Sequence, residues 1–155
     1  MPAFNIPCFQ RVVWFSALYD FIVTAPFATP WTFEFNRAQL SALNQALGGQ
    51  PLPAFDALQT LFALLMGSIV LVWSVLRLRG PTLQFGRYDA AGRALFSLWM
   101  GWAWMQTGAP MLLLFLVPEI AWAIAQAWPV VAATAGDGGR TIAAAAARRP
   151  LAGCR

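Results

Sequence analysis

The chain contains no histidine and no lysine, and all ten of its basic residues are arginine. Without histidine there is no His-held haem, no His-ligated metal and no imidazole acid–base catalysis. Two cysteines, Cys8 and Cys154, stand near opposite ends and form neither a metal-ligand spacing nor a disulfide framework. Charge is also scarce: only 10% of the 155 residues are Asp, Glu, Lys or Arg, against about 25% in an ordinary soluble domain. No phosphate-binding loop, dinucleotide fingerprint, G-x-S-x-G or Cys-x-x-Cys is present, so nucleophilic hydrolysis and nucleotide chemistry have no local motif. The net charge of +4 does not indicate nucleic-acid binding, because the arginines flank apolar segments instead of clustering on one face.

What the chain does have is apolar length. With 59% hydrophobic residues, it carries four runs near the ~20 residues needed to cross a bilayer. They are read at about 12–28, 55–78, 90–107 and 111–131. Pro26 and Pro30 end the first, and Pro51 and Pro53 precede the second. Gly80 and Pro81 stop the second, and Gly108-Ala109-Pro110 separates the last two. Asp20 interrupts the first run and only Arg11 precedes it, which favours a span over a cleaved signal peptide. Asp89 reads as the N-cap of the third run.

The expected fold is an all-α, four-transmembrane-helix bundle over residues 1–134, with a short extracytoplasmic amphipathic helix. In "NRAQLSALNQAL", Asn36 and Gln39 resemble a capping box, and Leu40, Leu43 and Leu47 share one face with Asn44 elsewhere. Trp31, Phe33 and Phe35 read as interfacial anchors. Residues 135–155 are Gly, Ala and Arg with little to bury, and are expected to form a disordered cytoplasmic tail. Arg77, Arg79, Arg87 and Arg93 surround the second connection, four arginines lie in the tail, and Arg11 precedes the first run. This bias puts both ends on the cytoplasmic side of a membrane. The all-arginine, Ala/Gly/Pro/Trp-rich composition suggests a GC-rich genome, and hence a bacterial inner membrane.

Two acids stand where acids are costly. Asp20 is half-way along the first run and Glu119 near the middle of the fourth. At similar depth they can approach, and two adjacent carboxylates favour a shared proton. Ser16, Asp20 and Thr24 form one helical stripe, and Glu119, Trp122 and Gln126 form another. Thr60, Ala63, Gly67 and Ser74 make a small-residue face. Trp99, Trp102 and Gln106 share a face of the third run, too deep for interfacial anchors. Turned inward, they would wall an apolar pocket with their indole N–H groups available to the acids. The ligand-binding residues expected are therefore Asp20, Glu119, Trp99, Trp102, Trp122 and Gln106. Arg93 reads as paired with Asp89 four residues earlier and snorkelling to the cytoplasmic edge; pairing with Asp20 or Glu119 is the alternative. Pro118 is expected to kink the fourth run beside its acid.

With four short spans, the acid in "LYDFIVTAPFATPW" and "VPEIAW" in the last run, residues 10–132 resemble small bacterial four-helix membrane proteins of the DoxX-like and BphX-like kind. The resemblance implies the fold and no chemistry. The expected function is the binding of a small lipophilic molecule, or service as an accessory subunit in the bilayer, with no cofactor and no metal. A membrane enzyme doing acid–base chemistry on a lipophilic substrate, or a proton-coupled transporter formed as a homo-oligomer, is the alternative.

Overall fold

The computed structural model describes residues 4–131, which are almost entirely helical. The expected tail at 135–155 lies outside the described residues. The element order is β1 (Phe4–Asn5), α1 (Ile6–Thr24), a short 3-10 turn (Ala25–Ala28), α2 (Pro30–Ala46), α3 (Ala57–Arg79), α4 (Leu83–Thr107), α5 (Met111–Ala127) and β2 (Val130–Val131).

Local chemistry sets each boundary. The Asn5 side chain accepts from the Cys8 backbone to start α1, and Pro26 tightens its end into the 3-10 turn. Helix α2 begins at Pro30 with a reciprocal Thr29–Thr32 capping box. It therefore starts six residues before the expected Asn36 cap, and Trp31, Phe33 and Phe35 are helical. It ends at Ala46, and the chain turns away at Gly48, whose φ of +88° suits glycine. Asp56 and Gln59 cap α3 reciprocally. Thr82 caps α4, so Asp89 is not an N-cap but an internal residue of a helix that starts at Leu83. Gly108, with φ of +62°, closes α4. Helix α5 runs through Pro118 and stops before Pro129, short of the expected residue 131.

The helices form two packed pairs, α1 on α3 and α4 on α5, and α1 also touches α4 and α5. Although consecutive, α3 and α4 make few close approaches, which leaves a cleft between them. Helix α2 lies over one end, touching the 3-10 turn and the first turns of α3 and α5. Asn44, expected on its polar face, is instead buried. Its amide donates to the Gln50 carbonyl at 2.7 Å and accepts from the Met111 backbone at 3.2 Å. At the opposite end, β1 pairs in parallel with β2, bringing Phe4 beside Val130. Arg87 ties the same region together, donating to the carbonyls of Gln126 and Trp128 at 3.0 and 2.9 Å.

Two glycines permit the closest helix approaches. A Cβ on Gly86 would fall 2.6 Å from the Phe9 ring, where α4 meets α1, and one on Gly67 would overlap Phe27. The small-residue face of α3 is thus inward: Gly67 and Ser74 are buried.

The interior is more polar than the exterior. Six apolar side chains are buried among the described residues, against eight polar or charged ones, including Asp20, Arg77, Asp89, Arg93 and Gln126. Large apolar side chains such as Phe62, Ile69, Val72, Leu98 and Val117 are exposed. Two helices, Ile6–Ala28 (with the 3-10 turn) and Ala57–Arg79, are long and apolar enough to cross a membrane, and Met111–Ala127 is apolar but shorter.

Candidate functional site

Four helices deliver charge to one place. Asp20 comes from the last turns of α1, Arg77 from the end of α3, Asp89 and Arg93 from α4, and Glu119 from the middle of α5. Arg93 is the hub. Its Nε donates to Asp89 Oδ2 at 2.9 Å, its Nη1 to Glu119 Oε2 at 2.8 Å and its Nη2 to Asp20 Oδ2 at 2.5 Å. Arg77 adds a second bridge, from Nη2 to Asp20 Oδ2 and from Nη1 to Asp89 Oδ2, both at 2.5 Å. Arg77 has no exposed surface and Arg93 only 2%. Two guanidiniums therefore face three carboxylates, a formal charge of −1 with all five groups ionised.

A neutral shell supports these ions. Trp73 Nε1 donates to Asp89 Oδ1 at 2.9 Å, and the indole ring lies 5.6 Å from the Arg77 guanidinium carbon. Phe85 meets Trp73 edge-on at 5.5 Å. Ser16 Oγ accepts from Gln126 Nε2 at 2.6 Å and lies 3.5 Å from Arg77 Nη1. Planar guanidinium forks suit this role because each supplies several fixed donors to carboxylate oxygens.

Above the ions lies a cavity of about 820 Å³, within the usual ligand-pocket range of about 300–1,000 Å³. Asp20, Asp89, Arg93 and Glu119 form its charged part, and Tyr19, Phe27, Trp73, Phe96, Trp99 and Phe115 supply aromatic walls. It extends past Ala63 and Gly67 of α3 to Leu40 of α2 and Met111 of α5, so it occupies the cleft between the two helix pairs.

The sequence-expected residues divide. Asp20 and Glu119 do converge, held by one guanidinium instead of by contact with each other. Trp99 lines the cavity. Trp102 and Gln106 are exposed and lie outside the lining, although Trp99 of the same face borders it. Trp122 is half-buried behind the cavity, its ring 6.4 Å from that of Tyr19. The indole that reaches an acid is that of Trp73. Arg93 does not snorkel: it pairs with Asp89 as expected and with Asp20 and Glu119 as well.

Arg77, Asp89 and Trp73 were absent from the expected site. A signal for Arg77 existed: Gly67, Ser74 and Arg77 follow helical spacing, so continuing the small-residue face by one turn reaches it. Among the described residues no group of three His, Cys, Asp or Glu is placed to hold a metal ion. In comparisons with protein-family models, curated proteins and solved structures, nothing matches this chain.

Proposed function

We propose that the protein is an integral membrane protein whose four long helices, α1, α3, α4 and α5, cross the bilayer and bind a small lipophilic molecule in the cleft between α3 and α4. The observation that carries this reading is the inverted distribution of polarity: a buried ionic cluster inside helices whose outer faces bear large apolar side chains. In water those exposed faces would aggregate. In lipid they are solvated, and intramembrane charges belong in the interior, paired. Lengths agree, since α3 and α4, with 23 and 25 residues, extend about 34 and 37 Å across a hydrocarbon core of about 30 Å.

The arginine distribution supports both ends lying on the cytoplasmic side. Arg11, Arg79 and Arg87 belong to the end where β1 and β2 meet, and α2 with Arg37 covers the other. Helix α2 then rests at the outer surface as a lid over the bundle. A bacterial inner membrane is the setting proposed.

The test is native mass spectrometry of protein released from lipid nanodiscs, beside Ala103→Phe, which fills the cavity without touching the ion cluster. A discrete bound mass in the wild type, missing from the folded variant, is expected. No adduct in either protein, or the same adduct in both, would contradict a binding cavity.

A further inference from the structure

The charge and donor balance of the cluster points to a particular ligand. Asp20 Oδ2 accepts from both arginines and Glu119 Oε2 accepts from Arg93. Asp20 Oδ1 and Glu119 Oε1 accept nothing from the described residues, and neither is sealed off from the cavity. Asp20 is nine-tenths buried, so a free lone pair there has no bulk water to satisfy it. Both side chains belong to the cavity wall.

The cations, by contrast, are committed. All three nitrogens of Arg93 donate to carboxylates, and Arg77, whose Nε alone lacks a partner, is fully buried and outside the cavity wall. An anionic ligand such as a fatty acid would add to a cluster already formally negative. A cationic ligand closes the charge balance and supplies the missing donors. The aromatic walls favour the same choice, since ring faces attract cations and accept an apolar tail. Ile69, Met66 and Trp99 at the cleft are exposed, giving a lateral route from the acyl chains.

We propose that the cavity takes a lipophilic amine in its protonated form. Its ammonium donates to Asp20 Oδ1 and Glu119 Oε1, and its hydrocarbon part lies between α3 and α4. This rests on the cavity being a binding site, and the experiment separates the two claims.

Binding of decylamine, decanol and decanoic acid is measured by native mass spectrometry in phosphatidylcholine nanodiscs, with empty nanodiscs as the partition control. Wild-type protein is compared with Glu119→Gln, which keeps an acceptor for Arg93, and with Ala103→Phe. Decylamine is expected to bind about tenfold more tightly than decanol, the gain of one buried charge-assisted hydrogen bond, with decanoic acid weakest. Glu119→Gln should remove that preference and Ala103→Phe should remove all binding. Equal binding of amine and alcohol, a preference for the acid, or a preference that survives Glu119→Gln would overturn the amine proposal while the cavity stands. No binding by any probe, binding that persists in Ala103→Phe, or a dimer in place of every adduct would overturn both.

Discussion

Arg93 Nη2 lies 2.5 Å from Asp20 Oδ2, joining positions 73 residues apart in the chain. Because the same guanidinium also holds Asp89 and Glu119, three of the four long helices share one cation, and Arg77 of α3 completes the set. Burying ions costs several kcal/mol each, and such a cluster is stable only when each charge keeps its partners. The network is thus a clasp whose members are mutually dependent.

Arg93→Met should therefore destabilise the fold by about 3–5 kcal/mol, the usual cost of leaving buried charges unpaired. Arg93→Lys should recover only part, because one ammonium cannot reach three carboxylates in fork geometry. Arg79→Gln, at the exposed end of α3, should stay within about 0.5 kcal/mol of wild type. Thermal unfolding in mild detergent, followed by circular dichroism, measures all three.

Trp73→Phe keeps a ring against Phe85 and Arg77 but removes the N–H that satisfies Asp89 Oδ1. A loss of about 1–3 kcal/mol is expected for the unsatisfied acceptor. Tryptophan is the better donor-bearing ring here, so Trp73→Leu should cost more than Trp73→Phe in the same assay.

Gly67→Val places a branched side chain on the Phe27 side chain. Overpacking of about 1–3 kcal/mol should follow, and should appear as a lower melting temperature. Gly92→Ala is the control, since a Cβ there meets nothing within 4 Å.

On α2, Arg37 hydrogen-bonds Glu34 and lowers the Glu34 pKa below the ordinary carboxylate value. The sign follows from linkage: a lowered folded-state pKa gives a contribution that is present above the ordinary carboxylate range and lost as pH falls through the folded value. Glu34 is solvent-exposed and Arg37 partly so, so the effect on stability is small. Carboxylate NMR of selectively labelled Glu34 should titrate below the value found in Arg37→Gln, and identical titration in the two proteins would contradict the pairing.

Much of this arrangement was legible in the sequence, because proline, glycine and apolar length mark where the helices stop. Asp20 and Glu119 stood out as acids in apolar runs, and they do meet at one site. Asp89 and Arg77 did not stand out, since charges at the end of an apolar run usually serve as caps or topology signals. The upstream turns of α4, "LQFGRYD", are too polar to extend the hydropathy peak, yet Thr82 caps a helix that carries Asp89 inward. Trp102 and Gln106 differ in another way: helical spacing groups them with Trp99, yet α4 borders the cavity through Phe96, Trp99, Met100 and Ala103, and spacing does not say which members of a face a cavity reaches. The open cleft between α3 and α4 decides that, and it depends on packing among all four helices.

The most direct test of the central claim, an ionic core enclosed by four membrane-crossing helices, is side-specific thiol labelling. Single cysteines would be placed at position 8 (native), Gln84→Cys, Ala42→Cys and Gln106→Cys, with Cys154 replaced by serine throughout and Cys8 replaced by serine in the last three. An impermeant maleimide is then applied to right-side-out and inverted membrane vesicles. The account predicts that positions 42 and 106 react only from the outer side and positions 8 and 84 only from the cytoplasmic side. Reaction of 84 and 106 from the same side, or of all four positions from both sides, would contradict it.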